Sequence, residues 1–340
     1  MMERVRIGIL GCGYWAPNLI RNFQKLRECE VVAAGDPDPA RLEALRRTYP
    51  YIETTVDPEA VLSRTDLDAI AVVTPISTHY PLARAALEAG KHVVVEKPLA
   101  ETTAQATELV DLAERRNRVL MVDHTFVYTG AVRKIRDLVT SGELGSILYL
   151  DSVRINLGLV QRDVNVLWDL APHDFAIMDY LFDAPLERVS AVGACPIQVG
   201  GKSLESVAYV TVQSRGGTMA HFHLSWISPL KIRRMLIVGN RKMVVYDHLD
   251  SDNQVKVYDK GYDIETVEER ERVLIQRRMG DMYAPKVDQA EALEHLCRHF
   301  VDCVLHERRP ITDGRAGARV VQLLEAADQS IQRGGASVVL

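Results

Sequence analysis

Short apolar runs alternate with amphipathic stretches along the first third of the chain. Five runs are rich in valine, isoleucine and alanine, and they lie at 5–10, 30–35, 69–73, 93–95 and 119–122. Continuous runs of this kind are typical of strands buried on both faces of a parallel sheet. The stretches between them have helical periodicity. Strands that alternate with helices predict a doubly wound α/β domain.

The pattern changes after about residue 129, where strand-like runs become more frequent. A helix running to Val139 precedes a long strand at 147–155 and a second helix at 169–182. The runs that follow often alternate apolar with polar residues, and they lie at 189–194, 207–213, 219–226, 232–238 and 243–246. This alternation predicts an α+β domain with a mostly antiparallel open sheet, covered on one face by helices.

Two more helices, at 288–306 and 313–332, close the chain. A length of 340 residues is long for one domain and suits two. We place the boundary at residue 124, so that residues 1–124 form the first domain and 125–340 the second. The last two helices are candidates to pack back on the first domain.

A glycine-rich turn separates the first apolar run from the first helical stretch. Its sequence is Gly11-Cys12-Gly13-Tyr14-Trp15-Ala16. This is the G-x-G-x-x-A pattern that binds dinucleotides when it lies between a strand and a helix. Gly11 allows the tight turn, Gly13 lets a pyrophosphate approach the backbone, and Ala16 is small where helix meets strand. The pattern predicts a Rossmann domain.

An acidic residue, Asp36, follows the second apolar run. An acid at this place accepts hydrogen bonds from the adenosine ribose and repels a 2′-phosphate, so the sequence predicts NAD rather than NADP. Arg41 leaves an alternative open, because a nearby arginine can accommodate the phosphate. The other interpretation of Arg41 is a solvated side chain on the next helix.

The run at 93–95 ends abruptly in Glu96, Lys97 and Pro98. A lysine at the end of a parallel strand lies at the carboxyl edge of the sheet, where open α/β folds bind ligands. Proline stops the strand beside the charge. The alternative is a surface ion pair at a strand end.

Asp169 and His173 form a second candidate for chemistry. They are four residues apart, so a helix presents both on one face. The imidazole can exchange a proton near neutral pH, and the carboxylate can orient it. The alternative is a helix-terminal acid beside a half-buried histidine. We expect this face of the second domain to close over Lys97.

Composition limits the class of protein. The net charge of −5 predicts neither a nucleic-acid nor an anionic membrane partner, and no apolar run approaches the roughly 20 residues of a membrane span. Without a signal-peptide core, five scattered cysteines predict reduced thiols in the cytoplasm.

One helical stripe combines histidine with cysteine: His295, His299, Cys303 and His306. These four span roughly 16 Å of helix, too far to converge on one ion, so we predict no metal.

These motifs together resemble the glucose–fructose oxidoreductase and inositol dehydrogenase family of NAD(P)-dependent sugar oxidoreductases. The matching segments are Gly11 to Trp15, Asp36, Thr74 to His79, Glu96 to Pro98, and Asp169 with His173. Segments 14–18 and 168–174 are most similar to bacterial enzymes that oxidise or reduce C3 of a nucleotide-linked hexose or uronate. One departure is Asp123-His124, where many relatives have Gly-His, and it leaves the role of His124 open.

The resemblance implies roles for individual residues. Thr74 and Pro75 would border the pyrophosphate and the nicotinamide ribose, His79 would cap the next helix near the cofactor, and Glu96 would bond the ribose. The Lys97–Pro98 peptide would be cis. The whole implied cofactor set is Gly11, Gly13, Tyr14, Trp15, Asp36, Thr74, Pro75, His79, Glu96, Gln161 and Arg162.

We expect hydride transfer between the nicotinamide and a sugar carbinol carbon. The hydroxyl proton would leave toward His173, which Asp169 positions, while Lys97 would stabilise the negative oxygen. Which of Lys97 and His173 formally takes the proton stays open. Beside Lys97 and His173, the expected substrate-binding residues are Arg154, Asn156 and Asn165.

Two alternatives to a nucleotide-sugar dehydrogenase remain. One is a free keto-sugar reductase or a cyclitol dehydrogenase on the same scaffold. The other is a non-catalytic NAD(P)-binding regulator, since the family includes a co-repressor, although Lys97, Asp169 and His173 argue against it.

We also expect a homodimer or homotetramer through the second domain, because runs 208–210 and 222–226 carry large apolar groups that a second copy would cover.

Overall fold

A computed structural model describes residues 4–158, 164–182, 185–199, 202–263 and 276–340. The chain forms two compact units. Unit 1 comprises Met1–Tyr128 and Ala290–Gln322, and unit 2 comprises Thr129–Gln289 and Leu323–Leu340. Within the described ranges, no helix has the length and apolar character that crossing a membrane requires.

The helices belong to both units. In chain order they are α1 (Ala16–Gln24), α2 (Pro39–Thr48), α3 (Pro58–Leu62), α4 (His79–Glu88), α5 (Thr103–Arg115), α6 (Gly130–Thr140), α7 (Val166–Leu181), α8 (Ala292–His306) and α9 (Gly314–Gln332). Helix α8 belongs to unit 1 and packs against α1, with the rings of Phe23 and Phe300 6.2 Å apart. Helix α9 begins in unit 1 and ends in unit 2.

Unit 1 contains a six-stranded parallel sheet. Its strands are β1 (Val5–Leu10), β2 (Cys29–Gly35), β3 (Glu53–Thr55), β4 (Ala69–Val72), β5 (His92–Glu96) and β6 (Leu120–Asp123), in the order β3-β2-β1-β4-β5-β6. This is the strand order of a dinucleotide-binding Rossmann fold, so the predicted doubly wound sheet is confirmed. Strand β3 was not predicted, because it is a short edge strand without an apolar run.

Unit 2 contains a nine-stranded mixed sheet among its described residues. The strands are β7 (Ile147–Leu157), β8 (Leu186–Ala194), β11 (Val207–Ser214), β12 (Met219–Ser225), β13 (Ile227–Gly239), β14 (Met243–Asp247), β15 (Val255–Asp263), β16 (Gln276–Tyr283) and β17 (Val338–Val339). Their order is β16-β15-β14-β13-β7-β12-β11-β8-β17. Only the β7–β12 pairing within this sheet is parallel, so the mostly antiparallel prediction is confirmed. A separate antiparallel pair joins β9 (Gln198–Val199) and β10 (Lys202–Ser203).

Helix α7 packs on β7, β11 and β12. Phe175 of the helix meets Phe222 of β12 edge to face at 5.0 Å, and both rings are fully buried. The apolar side chains on which the oligomer prediction was based, such as Phe222 and Val210, therefore belong to the core of the unit. The opposite sheet face carries Tyr209, stacked on His223 at 4.5 Å. This corrects the basis of the oligomer prediction, which now depends on that opposite face.

A buried ion pair lies under α7. Arg154 of β7 is 5% exposed, and its Nη2 lies 2.6 Å from Oδ1 of Asp174, which is 2% exposed. The Arg154 Nε also donates to the same oxygen at 3.0 Å. That Arg154 contacts substrate stays a prediction, and the structure adds that its guanidinium pairs with an acid on the helix that follows in the chain.

Replacing Arg154 with alanine should destabilise unit 2. The carboxylate of Asp174 would then lie buried without its cation, which typically costs about 3–5 kcal/mol. Arg234→Ala is the matched control, since Arg234 pairs with Asp247 at 2.7 Å but is mostly exposed, and exposed pairs contribute about 0–1 kcal/mol. Urea unfolding followed by tryptophan fluorescence would measure both. Equal stability of the two variants would contradict the buried-pair interpretation.

Candidate active site

The glycine turn after β1 has the shape that a pyrophosphate requires. Gly11 has φ +92°, and a Cβ added there would overlap the carbonyl oxygen of Val73. An added Cβ on Gly13 would meet no atom within 4 Å, so this backbone is open to a ligand. Ala16 is fully buried where α1 begins, and Tyr14 is 93% exposed. The turn therefore fits the dinucleotide that its sequence pattern predicts.

Asp36 supports this turn from the end of β2. Its Oδ2 accepts a hydrogen bond from the Cys12 backbone N–H at 2.7 Å, and its Oδ1 accepts one from Asp38 at 2.8 Å. The residue is 1% exposed. Arg41 lies mostly in solvent with Nη1 3.4 Å from Asp36 Oδ2. Asp36 therefore orders the glycine turn, and Arg41 is the cation that accompanies it.

His79 connects the ends of β4 and β5. Its Nε2 lies 2.8 Å from the carbonyl oxygen of Thr74, and its Nδ1 lies 2.8 Å from that of Pro98. Burial lowers the pKa of the ring, while the two carbonyls act in the opposite direction. The expectation that His79 caps α4 is corrected, because α4 begins at His79 and its N-cap is Thr78.

Lys97 follows directly after β5, at the carboxyl edge of the sheet. The peptide between Lys97 and Pro98 is cis, which confirms the prediction. Thr74 lies at the same edge, after β4, where its hydroxyl accepts a hydrogen bond from that of Thr78 at 2.7 Å. Pro75 is exposed beside it. The glycine turn, Thr74 and Lys97 thus lie at the ends of β1, β4 and β5, where strand order reverses.

Two carboxyl groups lie side by side at the ends of β5 and β6. Glu96 and Asp123 are paired residues of the parallel ladder. Asp123 accepts hydrogen bonds from Trp15 Nε1 at 3.2 Å and from the Thr125 hydroxyl. Burial, followed by the charge of Asp123, raises the pKa of Glu96 well above its usual range. The sequence suggested Glu96 and Trp15 as cofactor contacts but gave no reason to select Asp123.

His124 is a buried histidine next to this pair. It is 1% exposed, and neither ring nitrogen has a hydrogen-bond partner among the described residues. Burial, followed by the charge of Lys97, lowers its pKa to about 3. The ring is therefore neutral at physiological pH. This defines the electrostatic state of a residue whose role the sequence left open.

In unit 2, α7 presents Asp169 and His173 on one face, four residues apart and each partly exposed. The Oδ2 of Asp169 accepts a hydrogen bond from the indole Nε1 of Trp226 at 2.9 Å. Trp226 is 1% exposed, so it holds the carboxylate on a rigid support. Sequence patterns could not identify this indole, because it lies 57 residues further along the chain.

Asn165 has a structural role that its sequence position only partly suggests. Its side chain caps α7 by accepting from the Trp168 backbone N–H at 3.1 Å. Its Nδ2 donates to Glu205 at 3.0 Å and to Asp328 at 3.3 Å. That Asn165 also binds substrate stays a prediction. Asn156 is partly exposed on β7.

Two predicted cofactor contacts, Gln161 and Arg162, lie outside the described residues. The histidine stripe of α8 is tied to its own helix and the loop after it, since His299 Nε2 accepts from Ile311 N at 3.0 Å and His306 Nδ1 lies 3.0 Å from the Asp302 carbonyl. Across the described part of the chain, no group of three or more histidine, cysteine or acidic side chains could hold a metal ion.

Two family models match the amino-acid sequence. Residues 5–124 match the oxidoreductase family with an NAD-binding Rossmann fold, and residues 132–245 match the GFO/IDH/MocA C-terminal domain. One relative is the dTDP-3,4-didehydro-2,6-dideoxy-alpha-D-glucose 3-reductase of Saccharopolyspora spinosa. It is 30% identical over 256 residues, which cover 73% of this chain and 76% of the relative.

Another relative is the UDP-N-acetylglucosamine 3-dehydrogenase of Acidithiobacillus ferrooxidans. It is 26% identical over 340 residues, which cover 98% of this chain and 100% of the relative. Its solved structure has a TM-score of 0.81 at 23% identity, over 97% of this chain and 98% of that one, which shows a shared fold. The first model covers the whole Rossmann sheet, the second covers the unit 2 sheet from β7 into β14, and the glycine turn fits a dinucleotide. The chain therefore belongs to the GFO/IDH/MocA family of oxidoreductases and has NAD as its cofactor.

Proposed function

We propose that this oxidoreductase transfers hydride between NAD and C3 of a nucleotide-linked hexose or uronate. Each unit contributes one observation to the proposal: in unit 1 a lysine lies at the carboxyl edge of the Rossmann sheet, and in unit 2 helix α7 has an acid–histidine face whose acid is held by Trp226. Two relatives named as 3-reductase and 3-dehydrogenase of nucleotide sugars support the choice of substrate. Unit 1 would bind the cofactor, and unit 2 would supply the acid–base face.

Bound NAD supplies the hydride acceptor, and the protein supplies alignment and proton transfer. The ammonium of Lys97 donates a hydrogen bond to the substrate oxygen and stabilises its developing negative charge. The imidazole of His173 accepts the hydroxyl proton during oxidation and returns it during reduction. Asp169, whose carboxylate Trp226 holds, would orient the imidazole from the same face of α7. Residues 11–13 would hold the pyrophosphate, with Thr74 and Glu96 beside the nicotinamide ribose.

A free sugar or cyclitol is the second candidate substrate. The observation in its favour is the Arg154–Asp174 pair, because an acid of the protein already neutralises this arginine, which an anionic sugar or phosphate would otherwise attract. A panel of UDP- and dTDP-sugars, free sugars and inositols, followed by the absorbance of NADH, separates the two. Turnover with free sugars alone would favour the second candidate. Tight NAD binding without any turnover would favour a regulator.

We propose further that the chain works in the cytoplasm. All five cysteines are free thiols, which suits a reducing compartment. Burial raises the pKa of the Cys12 thiol, inside the glycine turn, to about 12. This thiol is therefore a packed side chain and not a nucleophile.

Lys97→Ala and His173→Ala should each abolish most turnover while retaining NAD binding. Loss of an oxygen-stabilising donor should lower kcat roughly 10²–10³-fold, and loss of an acid–base group roughly 10²–10⁴-fold. The two losses should not add in the double variant, because both groups act on one oxygen. Lys231→Ala and His306→Ala, both at exposed positions, are the controls. Near-normal turnover in either single variant would remove that residue from the proposed role.

Asp36→Ser should weaken the preference for NAD over NADP. A carboxylate beside a 2′-phosphate costs several kcal/mol, so its removal should lower the Kd ratio of NADP to NAD by about tenfold or more. Affinity for both cofactors should also fall, because the Cys12 N–H loses its acceptor. Calorimetric titration of both cofactors would measure this. Tighter NADP binding by the unaltered enzyme, lost in Arg41→Ala, would instead assign cofactor choice to Arg41.

We propose a homodimer or homotetramer through the open face of the unit 2 sheet. Tyr209, Met219 and Tyr149 are each about two-fifths exposed on this face or at its edge, and a second copy would bury them. Tyr209→Glu should therefore shift the mass measured by light scattering toward the monomer. Tyr51→Glu, on unit 1 and 62% exposed, is the control. A monodisperse monomer for the unaltered chain at micromolar concentration would contradict the proposal.

A further inference from the structure

The two carboxyl groups at the ends of β5 and β6 have unequal surroundings. Paired residues on neighbouring parallel strands present their side chains on the same sheet face, and Glu96 and Asp123 are such a pair. Asp123 receives two hydrogen bonds, from the Trp15 indole and the Thr125 hydroxyl. It is therefore equipped to carry a negative charge although it is 2% exposed.

Glu96 lacks such donors. Its Oε1 is buried and has no hydrogen-bond donor among the described residues. Its Oε2 accepts a hydrogen bond from the backbone N–H of Lys97 at 3.2 Å. A buried carboxylate oxygen without a donor is costly, and a second negative charge beside Asp123 adds to that cost. A proton on Glu96 removes both costs, because a neutral carboxyl is less costly to bury and no longer repels Asp123. Burial and the neighbouring Asp123 carboxyl are also what raises the pKa of Glu96.

In the part of the chain that the structure describes, the other titratable groups that act on the pair are the cation Lys97 and several neutral side chains. The charge of Lys97 acts on Glu96 from the residue that follows it. His124 is neutral, since its pKa is lowered to about 3. Asp123 also faces Tyr128 and, from α8, Cys297, and burial raises the pKa of both. With one proton on the pair, the charges of this cluster sum to zero, and a further positive charge would favour loss of that proton.

We propose that Glu96 and Asp123 together hold one proton in the cofactor-free enzyme, and that binding of oxidised NAD, whose nicotinamide ring is cationic, releases it to solvent. The O–H bond of the Glu96 carboxyl breaks, its electron pair stays on the carboxylate, and the proton goes to water or buffer. Reduced NADH has a neutral ring and binds without this release. The inference rests on the proposed placement of the nicotinamide beside Glu96, and it does not depend on the sugar.

Proton release can be measured with cofactor alone. NAD is titrated into the enzyme at one pH in buffers of different ionisation enthalpy, and the slope of the observed heat gives the protons released. We expect up to about one proton per site for NAD and none for NADH. Because binding releases a proton, the affinity for NAD should increase as the pH rises, by up to about tenfold per pH unit. This increase should occur in the pH interval between the pKa of Glu96 in the complex and its higher pKa in the free enzyme. NADH affinity should stay flat over that interval.

Two isosteric variants assign the proton. Glu96→Gln has no titrating proton, so release should vanish. Asp123→Asn retains an acceptor for the Trp15 indole but removes the neighbouring charge, so Glu96 should ionise earlier and release should shrink. Glu43→Gln removes an exposed carboxylate of α2 and should behave like the unaltered enzyme.

An infrared difference spectrum offers a second readout. The carbonyl band of a protonated carboxyl should disappear when NAD binds, and this change should be absent from Glu96→Gln.

The outcomes separate this inference from the proposals on which it builds. Equal proton exchange with NAD and NADH, or release that persists in Glu96→Gln, would overturn it. If Glu96→Gln changes the affinities for NAD and NADH equally, and no proton is exchanged, the proton-release inference would be overturned while Glu96 would remain a cofactor contact. Unchanged affinities in both variants would remove the nicotinamide from this edge as well. If Asp123→Asn does not fold, the comparison of proton release by the unaltered enzyme and by Glu96→Gln still tests the inference. Failure of every sugar to react would leave the cofactor titrations intact.

Discussion

Parallel pairing is the constraint on which the site in unit 1 depends. Because all six strands run the same way, their carboxyl ends share one edge, and loops of unrelated sequence meet there. The most restrictive contact is between Gly11 and the backbone of Val73, where no side chain would fit. Gly11 therefore sets how closely the turn after β1 approaches the end of β4. Asp36 orders the same turn from the β2 side.

Beyond the ladder, side chains must hold the strand ends in place. His79 does this between β4 and β5, since its two ring nitrogens meet the carbonyls of Thr74 and Pro98. Carbonyl groups at strand ends have no ladder partner, and burial would leave them unsatisfied. A neutral imidazole can donate only one proton, so one of the two contacts is a true hydrogen bond unless the ring is charged. His79 thus positions the segment that carries Lys97 without offering the cofactor a ring nitrogen.

Local patterns predicted the local features of this chain. Apolar runs located five of the six strands in unit 1, and the spacing of Asp169 and His173 placed both on one helix face. Local patterns did not show which partner a polar side chain has far away in sequence. Asp174 pairs with Arg154, and Glu205 and Asp328 accept hydrogen bonds from Asn165. Nothing in a sequence pattern shows which distant acid neutralises a buried base.

Hydride transfer changes the charge of the nicotinamide ring by one unit, while the net charge of a rigid site stays the same. A site with fixed charges would therefore favour one oxidation state and resist the other. Lys97 lies at this edge, and His124 is too strongly desolvated to become a cation. During oxidation, the substrate proton would make His173 a cation. Before that step, acids close to the ring can compensate its charge by releasing a proton. Glu96 and Asp123 are paired at the end of the sheet, and among the described residues side-chain donors reach Asp123 but not Glu96. Their inequality lets the enzyme adjust its own charge to that of the ring.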